Sequence, residues 1–221
     1  MIARVEEEPF FILFNNSVRS SLKEIIASGK KIKFSAGSRG DGLASYAAVA
    51  CEALKMNCQI ITGYKGSKEA SLAMLTGEAD ALAISESSGL RYASDGKAKI
   101  MITIGHARSK HRADLPTVYE EFDLSSEQKW WFDFRLGISS FGNRAIIGPP
   151  GVPADRVSFL QKVWKDILND QAVIDELAKR KRGINYASPE TLKKAVDNGL
   201  GAVPADKRKI IKEVLLKKFS P

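Results

Sequence analysis

The chain has 221 residues, 44% of them hydrophobic and 27% charged, enough to bury one substantial core or two small ones. That composition excludes a disordered tail, a coiled coil and a disulfide-stapled mini-protein. The formal net charge of +8 favours anionic partners, and no uncharged stretch approaches the ~20 apolar residues of a membrane span.

Two cysteines, Cys51 and Cys58, are too few for a disulfide framework and match no zinc spacing, so they leave the redox compartment open. Cys51 falls near the apolar side of a predicted helix, where core packing is its expected role. The first nine residues carry three glutamates where a secretory signal would be apolar, so the sequence as written shows no export signal.

Along the chain, Phe10 to Phe14 reads as a short buried strand ended by Asn15-Asn16-Ser17. Ser20 or Ser21 can cap a helix through Ser28 that stops at Gly29. Lys31 to Phe34 is a predicted strand, Ser35 to Gly42 a small-residue loop, and Leu43, Ala47, Ala50 and Leu54 recur at helical spacing. The unit repeats in kind. Gln59 to Thr62 is a strand, the turn from Gly63 to Ser67 follows, and a helix from Lys68 to Leu75 closes at Gly77. Ala79 to Ile84 is a strand, Ser85 to Ser88 a polar turn, and Gly89 to Ala93 a short helix. Ile100 to Ile104 is one more strand, and the alternation implies a mostly parallel α/β sheet.

From Asp114 the pattern changes. Leu124 to Glu127 starts a helix into Trp130-Trp-Phe132 and Leu136, and Arg144 to Ile147 is a strand whose exit is stiffened by prolines 149, 150 and 153. A long amphipathic helix then begins at Ala154-Asp155, and the remainder is helical and basic.

Several of these stretches together resemble a known family. Phe10 to Ser38, Gly63-Tyr-Lys-Gly66, Leu75-Thr-Gly-Glu-Ala-Asp80, Asp114-Leu-Pro-Thr-Val118 and above all Gly148-Pro-Pro-Gly-Val-Pro-Ala-Asp-Arg-Val157 are similar to the solute receptors of tripartite tricarboxylate transporters. The likeness runs from about Phe10 to about Gly199. It implies an α/β fold of the periplasmic-binding-protein-like type II, two lobes with mostly parallel sheets that close on a small carboxylate and present it to membrane permease subunits. The implied location is extracytoplasmic, the periplasm or cell surface. Family members also carry an export signal and a first βαβ segment with a Pro-Gly-Gly-Gly loop, which are not found in this sequence, so the first lobe is expected to be incomplete. The expected division is residues 1–14 as strand and hinge of that first lobe, 15–142 as the second, ligand-binding lobe, and 143–221 as return strand and C-terminal helices of the first.

In an open α/β sheet the ligand sits beyond the carboxyl ends of the strands, where helix N-termini offer unpaired amides to an anion. Three predicted turns qualify. The first supplies Ser35, Gly37, Ser38 and the planar fork of Arg39; the second Tyr64, Lys65, Gly66 and Ser67; the third Ser85, Glu86 and Ser87. Glu86 would suit an amine or hydroxyl on the ligand, or pair with Arg39 or Lys65 in an empty site. No cofactor or metal is expected.

Enzyme readings lack a constellation. His106 and His111 are five apart in a basic loop without a metal-binding frame, no Gly-x-Ser-x-Gly elbow exists, and Glu120 and Glu121 belong to a helix surface. The basic runs Lys179 to Arg182 and Lys207 to Lys209 lie on amphipathic helices, so a solvated face is expected and nucleic acid is not. The alternative function is a truncated or repurposed lobe acting as a regulatory or nucleic-acid-associated module. An incomplete lobe is also expected to expose apolar surface and self-associate.

Overall fold

The computed structural model describes residues 1–141, 144–180, 182–197, 201 and 203–220. The predicted boundary at 142/143, the end of the family likeness at Gly199, and Lys181 within the first basic run lie outside the described residues. Two compact units emerge, Met1–Glu8 with Leu136–Val203, and Pro9–Arg135 with Pro204–Pro221.

The second of these is built on a five-stranded sheet. Its strands are β2 (Phe10–Asn15), β3 (Ile32–Ser35), β4 (Cys58–Ile61), β5 (Ala81–Ser85) and β6 (Ala98–Ile104), in the order β4-β3-β5-β2-β6. β3 pairs parallel with β4 and β5, whereas β2 pairs antiparallel with both β5 and β6. Four strands therefore run one way and one runs against them. The sequence reading placed residues 1–14 in the first lobe, but β2 belongs to this sheet. The physical reason is its composition: Phe11, Ile12 and Leu13 are fully buried, and a strand apolar on both faces is stable only between two neighbours.

Helices join these strands where the sequence signals them. α1 (Leu22–Ala27) starts at a capping box in which the Ser21 hydroxyl accepts from the Glu24 amide and the Glu24 carboxylate accepts from the Ser21 amide. α2 (Gly42–Ala53) is almost wholly buried because Ala44, Ala47, Ala48, Ala50 and Ala53 let it lie close on the sheet. α3 (Ser67–Thr76) ends at Gly77, whose φ of 84° is the left-handed cap that glycine adopts freely. α4 (Glu86–Ala93) begins three residues earlier than predicted, so the expected polar turn at 85–88 is the cap and first turn of a helix. α5 (Val118–Glu121) and α6 (Ser126–Ser140) follow β6.

Cys51 of α2 and Cys58 of β4 form a disulfide. Cys51 is buried in the core as expected, and the bond is added to that packing role: the chain turns back between helix end and strand start and brings the two sulfurs together.

The other unit holds β1 (Ala3–Glu6) paired antiparallel with β7 (Arg144–Ile146), and the helices α7 (Ala154–Leu168), α8 (Gln171–Lys179) and α9 (Pro189–Val196). Its core gathers Ile2, Ala3 and Leu168 with Val157, Trp164 and Tyr186 around them. Arg144 bridges the buried carboxylates of Glu6 and Glu8. Burial and the neighbouring Glu8 push the Glu6 carboxyl up, against the pull of Arg144 and Arg182.

α10 (Ala205–Glu213) and the π-helical turn Val214–Lys218 pack on the sheet unit, not on the unit of β1 and β7 as the 143–221 assignment expected. The cause is local. The Ile60 amide on the outer edge of β4 donates to the Phe219 carbonyl at 2.7 Å, the Lys218 ammonium meets Glu52 at 2.5 Å, and Lys207 lies over the Trp130 ring.

Candidate functional site at the carboxyl end of the sheet

Because β3, β4 and β5 run parallel, Ser35, Ile61 and Ser85 end their strands on one side of the sheet, and the reversed β2 brings Phe10 there opposite Ser85. The loops beyond are stitched together. The Gly63 amide donates to the Gly37 carbonyl at 3.0 Å, and a Cβ on Gly37 would stand 2.7 Å from Asp41 Oδ2 and 3.1 Å from the Tyr64 carbonyl. Glycine at 37 is thus required by close approach.

The eleven residues singled out from sequence meet different fates. Ser35 is buried, and its hydroxyl donates to the Ala70 carbonyl at 2.7 Å, so it fastens α3 to β3 and offers nothing outward. The amides of Gly37 and Ser38 both donate to Asp41 Oδ2, while Oδ1 of the same carboxylate takes the Ala44 amide. The first loop therefore holds a carboxylate already, its own. Arg39 is exposed and lines a small cleft with Ile60, Val214 and Lys217, beside the C-terminal segment.

In the second loop, Gly66 takes φ 90° and caps α3 without any side-chain bond, and the Lys65 amide donates to Glu69. The Tyr64 hydroxyl donates to Glu78 at 2.8 Å, which commits it to the far end of α3; burial, then Glu78, pushes this phenol up to about 12. Ser67 Oγ lies 3.2 Å from the Tyr92 hydroxyl. In the third, Ser85 caps α4 without a side-chain bond, and Ser87 lies in the first turn. Glu86 accepts from the Ser109 hydroxyl, not from Arg39 or Lys65 as expected, and its amide donates to the Pro9 carbonyl.

Sequence reading missed Asp41, Ser109, Tyr92 and Arg135. Asp41 had a signal, an aspartate one residue before a helix start. Arg135 had none: it is buried on α6, stacked 3.7 Å over Tyr46 with Nε on Ser45 Oγ, and burial lowers its affinity for the proton. His106 is exposed, stacked on Tyr119 near Asp133, and no group of three His, Cys, Asp or Glu side chains among the described residues could hold a metal. Among the described residues no helix is long and apolar enough to cross a membrane. Arg182, in the first basic run, faces Glu6 at 4.0 Å.

The helix ends at this site are not alike. α2 and α5 are capped by Asp41 and Thr117, whereas α3 and α4, which follow β4 and β5, start bare of side-chain caps. Without side-chain caps, the positive dipole ends of both helices suit an anion, although in α4 the first amide, that of Glu86, is already taken by the Pro9 carbonyl.

Comparison with solved structures gives the same fold. A solute-binding protein from Polaromonas is 23% identical with a TM-score of 0.61, this chain aligning over 97% of its own length and 68% of that protein's. An R. palustris protein solved with adipate is 12% identical with a TM-score of 0.74, covering 97% of this chain and 67% of its own. MatC from Rhodopseudomonas palustris, solved with bound malate, is 16% identical with a TM-score of 0.68, covering 97% and 68%. No curated protein matches the sequence. The family model of the tripartite tricarboxylate transporter family receptor matches residues 1–214, nearly the whole chain. A sheet of four parallel strands with one reversed, loops converging at its carboxyl end and this family match have one reading: the chain belongs to the tripartite tricarboxylate transporter receptor family.

Proposed function

We propose that the chain is an extracytoplasmic receptor that seats a small carboxylate against Gly66, Ser67, Ser85 and Ser87 and hands it to the permease subunits of a tripartite tricarboxylate-type transporter. The observation that carries this reading is the pair of uncapped helix starts at Gly66 and Ser85, at the carboxyl ends of β4 and β5, in a chain whose family match spans residues 1–214. Arg39 and Lys65 stand exposed on the neighbouring loops and favour an anion by their field. Glu86, held by Ser109, suits a hydroxyl on the same ligand. Adipate and malate, bound by structural relatives, define the chemical class to try first. The Cys51–Cys58 disulfide fits an oxidising compartment. Self-association is part of the same proposal, through α7, where Phe159 is 65% exposed.

Calorimetric titration with adipate, malate and citrate tests the site. The expected result is saturable heat with at least one of them. Ser67→Ala should weaken binding by about tenfold, the worth of one hydrogen bond to a charged group. No heat with any of the three, or binding indifferent to joint substitution of Ser38, Arg39 and Ser67, would overturn it.

A further inference from the structure

Half of the chain's net charge sits in its last stretch. Residues 204–221 carry Lys207, Arg208, Lys209, Lys212, Lys217 and Lys218 against only Asp206 and Glu213, a net +4 of the total +8. Along α10 and just beyond it, Lys207, Ile211 and Val214 recur at i, i+4 and i+7 and face the rest of their unit. Lys207 and Ile211 are half-buried, Val214 is buried, and the Lys207 ammonium stands 5.0 Å from the Trp130 ring centroid. With 3.6 residues per turn, Arg208, Lys209 and Lys212 fall on the opposite, outward face, and all three are exposed. Lys217 is held by Glu213 at 3.8 Å and Lys218 by Glu52, whereas Lys209 and Lys212 enter no ion pair among the described residues. The basic belt continues to Arg39, exposed on the first loop, which lines one cleft with Lys217.

We infer that the outward face of α10 docks this protein on an anionic phospholipid surface. The contact is separate from the carboxylate site and needs no pocket. Headgroups offer negative charge at any register, and each Lys or Arg near such a surface adds about fivefold in affinity. A single-stranded nucleic acid is a poorer fit, because it binds by stacking its bases on open aromatic rings. The ring beside α10, Trp130, is already covered by Lys207 and stacked on Phe134. For a receptor that serves membrane permease subunits, the consequence is proximity: the bilayer holds it where its cargo is taken up.

Cosedimentation of the intact, unliganded protein with vesicles of phosphatidylcholine alone, or with roughly one-third phosphatidylglycerol, reads the contact. The protein should pellet with the anionic vesicles, stay in solution with the neutral ones, and be released at about 1 M salt, where the Debye length is about 3 Å. Lys209→Gln combined with Lys212→Gln should weaken binding roughly twenty- to thirtyfold, two steps of about fivefold, with an unchanged melting temperature. Lys97→Gln combined with Lys99→Gln removes the same charge at β6, the far edge of the sheet, and should leave binding as it was. No pelleting with anionic vesicles, equal pelleting with neutral ones, or a loss from the first double variant no larger than from the second would overturn the inference. So would tighter binding to a duplex oligonucleotide than to the vesicles. Because no ligand is present, each of these outcomes leaves the carboxylate site standing.

Discussion

Asp41 does two things with one carboxylate: it caps α2 through Ala44 and closes the loop before it through Gly37 and Ser38. Asp41→Ala should cost ~0.5–2 kcal/mol, the usual worth of an N-cap, and Gly37→Ala ~1–3 kcal/mol because its Cβ overpacks against Asp41 and a backbone carbonyl. Chemical denaturation of the two variants measures both. Ser21 and Glu24 give a pH test. Bonds from the Ser21 amide and hydroxyl hold the Glu24 carboxyl below its ordinary 4.5. A carboxyl whose folded value is depressed adds stability above the unfolded value and loses it as pH falls through the folded one. The Glu24 side-chain carbon should therefore titrate below 4.5 by NMR in the intact protein, and Ser21→Ala should return it toward that value.

At the scale of elements, β4 is the outer strand of its sheet, and its exposed edge would be open to other chains without the C-terminal segment. The bond from the Ile60 amide to Phe219 and the burial of Val214 and Phe219 cover it. Phe219→Ala should cost ~3–5 kcal/mol and speed hydrogen exchange at the Ile60 amide; unchanged exchange there would mean the edge is covered by something else. The Cys51–Cys58 link closes a short loop, with a sequence separation of 7, at the other end of the same strand. Reduction should cost about 2 kcal/mol on the chain-entropy account, read as a lower melting temperature in dithiothreitol.

For the whole molecule, the unit of β1 and β7 carries an amphipathic α7 with Phe159, Leu160 and Ile167 exposed. Apolar side chains grouped in this way favour association, so light scattering should show a concentration-dependent rise in mass. Replacing Phe159 and Leu160 by Lys should abolish that rise without unfolding the chain. A monomer at every concentration would remove self-association from the proposal.

What the sequence by itself determined was local: strands in the continuous apolar runs at Phe10 and Ile100, the helix stop at Gly77, an α1 cap at Ser20 or Ser21, and a family likeness carried by Gly148 to Val157. These depend on propensity, periodicity and residue type within a few positions. Tertiary structure alone decided that β2 runs against its neighbours, that residues 204–220 return to the sheet, and that Cys51 meets Cys58. It also decided that the Ser35 hydroxyl at the site is already spent on Ala70. The physical reason is that a hydroxyl looks the same in sequence whether or not a partner lies within 3 Å; Ser35 meets Ala70, 35 positions on, only because α3 packs on a sheet that pairs residues 26 to 94 positions apart.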